Sequence, residues 1–175
     1  MKHSFTSTLA SSDNNLWMRH FLVPNDIAHA LTSEDGSRRV VCRVNNLIEY
    51  QCAIVHVIRG HFGCTVNKAH CKKLGIDTGD SLSVELWADT STYGLPMADE
   101  FAELLAIDEQ ANRYFHDLTP GKQRTLLHSI SLPKSSAKRM ERAIAIANHL
   151  VKNRGKIDYK QLMQEMKSGH PDATR

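Results

Sequence analysis

From the start of the chain to about Trp87, apolar residues recur mostly at every second position, the period of a strand with one buried face. Phe5 to Leu9 and Trp17 to Val23 are predicted as short strands, separated by the polar stretch Ala10 to Asn15. Pro24 opens a short helix over Asp26 to Leu31 that stops near Gly36. Arg38 to Val44 places Val40, Cys42 and Val44 on one face, and Leu47 to Val55 places Ile48, Tyr50, Cys52 and Ile54 on one face. A two-residue loop would set these apolar residues against Glu49 and Gln51, so a three-residue loop or a bulge is predicted around Val44-Asn45-Asn46. Gly60 to Val66 reads as a further strand, and Asn67 caps a two-turn helix, Lys68 to Leu74, closed by Gly75. After the turn Asp77 to Asp80, a final strand carries Leu82, Val84 and Leu86. Six or so short strands with two short helices predict a small closed barrel over residues 1–90.

Beyond the linker Ala88 to Pro96 the period changes to 3.6. Phe101, Leu104 and Leu105 form one apolar stripe, and Tyr114, Phe115 and Leu118 another. Thr119-Pro120 starts a helix carrying Leu126, Leu127 and Ile130, with Pro at its first position. Pro133 and the cap Ser135 or Ser136 precede the longest helix, whose apolar face is Met140, Ala143, Ile144, Ala147, Leu150 and Val151, with Gly155 at its end. Asp158 with Gln161 three residues on starts a last helix carrying Leu162 and Met166, and His170 to Arg175 reads as a frayed tail. The helical region spans 97–168. The expected fold class is α+β, strands first and helices after.

Charge sharpens this division. Residues 1–95 are balanced, whereas 96–121 carry Arg113 against Asp99, Glu100, Glu103, Asp108, Glu109 and Asp117, net −5. Residues 122–160 carry ten Lys or Arg against Glu141 and Asp158, net +8. Consecutive helices of opposite charge can neutralise one another locally, or one of them stays free to attract a charged partner. No apolar run approaches the roughly 20 residues that span a bilayer, and Met1 to Asn15 lacks the apolar stretch of an export signal. A cytoplasmic location is expected, with Cys42, Cys52, Cys64 and Cys71 as reduced thiols packed as small apolar groups.

Candidate chemistry is thin. Cys52, His56, His61 and Cys64, with His70 and Cys71 behind them, are the right residue types for zinc, but no chelating CxxC or HxxxH pair occurs. On the strand reading, Cys52 and His56 share a face while His61 and Cys64 cannot. No G-x-S-x-G, Walker A or G-x-G-x-x-G motif is present, and no catalytic residue, metal or cofactor is assigned. Thr119 to Arg124 lacks the Gly-rich loop of a phosphate cradle, so helix initiation is the better reading of Lys122 and Arg124. Lys134, Lys138 and Arg142 fall at i, i+4 and i+8 with Arg139 beside them, a basic stripe that could take a phosphate backbone or simply face water. The candidate binding residues are thus Lys122, Arg124, Lys134, Lys138, Arg139 and Arg142.

The succession Val23-Pro24, Arg38-Arg39-Val40, Val44-Asn45-Asn46, Val66-Asn67-Lys68 and Leu74-Gly75-Ile76 to Gly79-Asp80 resembles the small bacterial barrel domain of unknown function found in the YdeI/OmpD-associated family. Tyr93-Gly94-Leu95-Pro96-Met97, Leu118-Thr119-Pro120-Gly121-Lys122-Gln123-Arg124, Lys134-Ser135 and Arg142-Ala143 resemble that family's helical C-terminal region. The resemblance implies a double-split β-barrel capped by short helices, similar to the swapped-hairpin regulators, whose turn is echoed by Leu74 to Asp80. It also implies a part in bacteriocin or cationic antimicrobial-peptide protection, without a reaction or catalytic residues. Where the commoner pattern has a Thr-Arg pair after the Lys, this chain has Ser136-Ala137-Lys138.

The leading expectation is a non-enzymatic binding or stress-protection protein taking a cationic peptide or an anionic ligand, with Glu100 and Glu103 the acidic residues to test. The alternatives are a nucleic-acid-binding regulator using the basic helices, and an enzyme of unknown type with a site between barrel and helices. Both halves of the barrel lie in one chain, so a monomer is favoured over a homodimer.

Overall fold

The computed structural model describes residues 1–12, 19–33, 36–58 and 60–168. The chain forms two compact units, Met1–Gly94 and Leu95–Arg175. Trp17, expected in a strand, and the tail His170 to Arg175, expected to be frayed, lie outside the described residues.

The first unit contains β1 (Lys2–Thr8), β2 (Ala10–Ser11), β3 (Arg19–Val23), α1 (Asn25–Ala30), β4 (Arg39–Val44), β5 (Ile48–Ala53), β6 (Val55–Ile58), β7 (His61–Thr65), α2 (Lys68–Leu74) and β8 (Ser81–Ala88). The strands form two four-stranded antiparallel sheets, β1-β8-β4-β5 and β2-β3-β7-β6. Strands followed by helices give an α+β architecture, as expected. Hydrogen-bonded closure into one barrel is not found among the described residues. The sheets nevertheless share a core, in which Val40, Cys42, Leu82, Val84 and Leu86 of one meet Phe21, Phe62 and Cys64 of the other. Two side chains tie them across the seam: Ser7 Oγ donates to the Leu22 carbonyl at 2.9 Å, and Tyr50 Oη to the Thr65 carbonyl at 3.2 Å.

Register follows the alternation. Val40, Cys42 and Val44 oppose Cys52, Tyr50 and Ile48, which leaves Asn45, Asn46 and Leu47 as a three-residue loop. Asn45 and Asn46 both take positive φ, 51° and 55°, a conformation asparagine tolerates better than most residues. Asn45 Oδ1 also accepts from the Ser83 amide at 2.9 Å, fixing the loop to β8. The segment expected as one strand from Leu47 to Val55 breaks at Ile54, which turns into the core while its amide bonds to the Arg38 carbonyl. Past this corner the chain enters the other sheet as β6, a strand the alternation did not announce, and pairs with β7 through a register shift between His56 and Ile58. Asn67 caps α2 by accepting from the His70 amide at 2.8 Å, and Gly75 ends it in the left-handed region.

The second unit contains α3 (Asp99–Ile107), α4 (Glu109–His116), α5 (Pro120–Ser131), α6 (Ser136–Lys152) and α7 (Tyr159–Ser168). Asp108, Ser135 and Asp158 accept from the amides of Ala111, Lys138 and Gln161, the caps that start α4, α6 and α7. Helix α6 packs against each of the other four. Its buried face is therefore wider than an ordinary stripe: Ala143, Ile146, Ala147, His149 and Leu150, whereas Met140, Ile144 and Val151 are only half-buried. Phe101 and Phe115 meet edge to face at 5.1 Å beside it.

Gly63 lies where β3 and β7 run closest. A Cβ there would sit 2.7 Å from the Phe21 carbonyl oxygen and 3.0 Å from both Val57 methyls. Gly63→Ala should lower stability by about 1–3 kcal/mol, read from the urea unfolding midpoint. An unchanged midpoint would show that the two strands do not approach this closely.

Candidate functional site

The acidic and basic helices of the second unit meet through one ion pair. Glu100, in the first turn of α3, is 8% exposed, and Arg139 of α6 holds it through Nε to both carboxylate oxygens at 3.1 Å and through Nη2 to Oε1 at 2.8 Å. The remaining nitrogen, Nη1, donates to the Pro133 and Lys134 carbonyls at 3.4 and 3.0 Å. One guanidinium thus joins α3, the α5–α6 connection and α6, with the planar two-pronged geometry that lysine cannot supply. Hydrogen bonds from Arg139, Ser136 and its own backbone amide, against some opposition from burial, hold the Glu100 carboxyl down to about 2. The Glu100 bond in turn raises Arg139.

Glu100 and Arg139, both expected as available for partners, are therefore spent on each other. The remaining acidic residues separate by role. Asp108 is the α4 cap, while Asp99, Glu103 and Glu109 are exposed, and Ile107 stands among them 85% exposed. Asp99, Glu103 and Ile107 follow one another at i, i+4 and i+8, on one side of α3.

The basic stripe divides as well. Arg142 donates to the Ser129 carbonyl of α5 at 2.6 Å, and Lys138 pairs with Glu141 at 2.9 Å. Both side chains line a cleft of about 270 Å³ with Lys167, Glu141, Leu132, Pro133 and Met166. Lys122 is exposed and Arg124 half-buried in the first turns of α5, and Lys134 is exposed ahead of α6; none of the three lines the cleft. Thr119 and Pro120 stand at the start of α5 as a helix-initiation pair should, although the Thr119 side chain makes no capping bond. Lys167 was not expected, and Met166 was expected only on the apolar face of the last helix, because nothing local shows that α7 returns to the start of α6.

The fastening of α7 was equally hidden. His149 is 1% exposed; its Nδ1 lies 2.7 Å from Glu165 Oε2, and its Nε2 accepts the Asp158 amide at 3.2 Å. Because Nε2 accepts, the proton belongs on Nδ1, and this imidazole is a strut between α6 and both ends of α7.

In the first unit the thiols form a packed group. Tyr50, Cys42, Cys52 and Cys64 share the core closely enough to move one another's titration. The bond to Cys52 and then burial push Cys42 up, burial and the neighbouring thiols push Tyr50 up, and Cys52, lowered by Cys42, is raised further by Cys64 and burial. Burial also raises Cys71. All four are free and buried in the core, and Cys42 and Cys52, pushed up by their surroundings, sit as neutral, weakly polar packing. Cys52 and His56, expected on one face, belong to different sheets, and among the described residues no three His, Cys, Asp or Glu side chains gather as a metal site. A shallower cleft of about 390 Å³ is lined by Thr6 and Ser7 of β1, Leu22 of β3 and His61. No helix among the described residues is long and apolar enough to cross a membrane.

The Glu100 pairing sets an acid dependence. A carboxyl whose value falls on folding, from 4.5 to about 2, contributes stability that is complete above 4.5 and is lost as pH drops through 2. Unfolding midpoints followed from neutral pH to pH 2 should fall through this window in the native protein. Glu100→Gln should be less stable at neutral pH and lack that part of the fall. An identical acid limb in the variant would show that Glu100 is not held by Arg139.

Comparison with known families covers most of the chain. Residues 5–86 match the Domain of unknown function (DUF1905), and residues 95–153 match the family described as Bacteriocin-protection, YdeI or OmpD-Associated. No curated protein and no solved structure is similar enough to add to this. The first match lies within the first compact unit and the second begins at the first residue of the second unit, covering α3 to α6 and ending before α7. The chain thus joins a region that matches the domain of unknown function, residues 5–86, to one that matches the Bacteriocin-protection, YdeI or OmpD-Associated family, residues 95–153.

Proposed function

We propose that the protein is a non-enzymatic, cytoplasmic binding protein that acts in protection against bacteriocins or other cationic antimicrobial peptides. Such a peptide is amphipathic, with lysines or arginines beside an apolar face. Its counterpart here is the α3 surface on which Asp99 and Glu103 lead, one turn apart, to the 85% exposed Ile107, the observation that carries the proposal. Glu100 is not part of it, being held by Arg139. The description of the matched family supports the same direction. The core thiols support a role without nucleophilic chemistry, since Cys42 and Cys52 are both pushed up by their surroundings. On this reading the two sheets are the halves of a double-split barrel, and the first unit is the stable partner of a binding unit.

A second reading, a nucleic-acid-binding regulator, draws on Lys138 and Arg142 meeting Lys167 at one cleft. It is weakened by Glu141 among those bases and by the loss of Arg139 to Glu100.

Fluorescence anisotropy with a labelled amphipathic cationic peptide tests the first reading. Asp99→Lys with Glu103→Lys should weaken binding about tenfold at low salt, and Ile107→Ser should weaken it several-fold with less salt dependence. Affinity unchanged in these variants would remove the α3 surface from the account. Steeply salt-dependent binding of duplex DNA, lost in Lys138→Glu with Arg142→Glu, would favour the regulator.

A further inference from the structure

The cleft between the α5–α6 connection, α6 and the end of α7 has a composition that neither the family descriptions nor the α3 surface accounts for. One side is apolar: Leu132, 59% exposed, with Pro133 and Met166. Three cations, Lys138, Arg142 and Lys167, face the same space, together with the carboxylate of Glu141. The Arg142 guanidinium is fixed in place by its 2.6 Å bond to the Ser129 carbonyl, so it meets a ligand without losing its own side-chain freedom. Lys138 already turns toward Glu141, and both remain largely exposed.

We propose that this cleft is a docking site for an acidic peptide segment with an apolar anchor residue. An aliphatic side chain of the peptide lies against Leu132, Pro133 and Met166, and a volume of about 270 Å³ accommodates one such side chain with its neighbouring backbone. Flanking carboxylates meet Lys138, Arg142 and Lys167, a net charge complementarity that survives the presence of Glu141. Glu141 distinguishes this occupant from a nucleic acid. A peptide brings backbone N–H donors for that carboxylate, whereas a phosphate backbone brings further negative charge. The absence of a stacking aromatic among the lining residues argues the same way. The site does not depend on the cationic-peptide reading, which concerns α3.

The test is an anisotropy titration of the whole protein at low ionic strength with a short labelled peptide of glutamate and aspartate around one leucine. Its companions are the same peptide with serine for leucine and a labelled oligothymidylate of matched charge. The leucine peptide should bind more tightly than the other two. Lys138→Glu with Lys167→Glu should weaken it about tenfold, in keeping with two exposed charge contacts. Leu132→Ser, at a position 59% exposed, should leave the urea unfolding midpoint nearly unchanged while weakening the leucine peptide several-fold and bringing it level with the serine peptide. Equal binding of the serine peptide, tighter binding of the oligothymidylate, or affinity unchanged in both variants would each overturn the proposal. An unchanged urea unfolding midpoint in the Lys138/Lys167 variant would show that loss at the cleft is not loss of fold.

Discussion

Arg139 grips Glu100 with two nitrogens and the Pro133 and Lys134 carbonyls with a third, so that the helix carrying most acid and the helix carrying most base are locked where their charges oppose. The rest of the helical unit takes its arrangement from that lock. Once α3 lies on α6, Phe101 meets Phe115 and the buried face of α6 can be shared among four neighbours. A mostly buried ion pair alone contributes little to stability, because desolvation offsets its attraction, but a guanidinium that also satisfies two carbonyls at a helix start cannot be withdrawn without leaving them unpaired. The pair therefore specifies geometry, and it removes one acid and one base from the inventory offered to partners. What remains outside it is sorted into separate surfaces: carboxylates around Ile107 on α3, and Lys138, Arg142 and Lys167 around an apolar cleft.

The strand-rich unit solves a different problem. Two sheets that do not close by hydrogen bonding hold together through their common core and through Ser7 and Tyr50 reaching across to the other sheet's carbonyls. Cys42, Cys52 and Cys64 suit that interior because they are small, buried and free, and pack as weakly polar groups among apolar neighbours. The elevated values of Cys42 and Cys52 belong to packing. A reactive thiol needs an adjacent positive charge and exposure, and Cys42 and Cys52 have burial instead.

Local rules carried the sequence a long way. The parity argument around Asn45 and Asn46 required an odd loop, and the loop has three residues. Asn67, Asp158 and the Ser135 alternative each cap the helix that follows them. The failures are non-local. The corner at Ile54 was invisible because an apolar residue there continues the alternation it interrupts, and β6 was lost with it. Ile146 and His149 fell outside the expected stripe because that stripe assumed one neighbour where α6 has four. Glu100 and Arg139 are 39 residues apart, and i, i+4 arithmetic set Arg139 beside a solvent-facing stripe without saying that an α3 carboxylate would come to meet it. Charge segregation was legible; its partial cancellation depended on packing.

The most direct test is a double-mutant cycle on that pair, measured by urea unfolding at neutral pH with Glu100→Gln, Arg139→Gln and the two combined. If the pair organises the helical unit, each single change lowers stability and the combined change costs clearly less than the two losses added. Losses that simply add would contradict the account, because they would show that Glu100 and Arg139 contribute independently and that α3 is held on α6 by its apolar contacts alone.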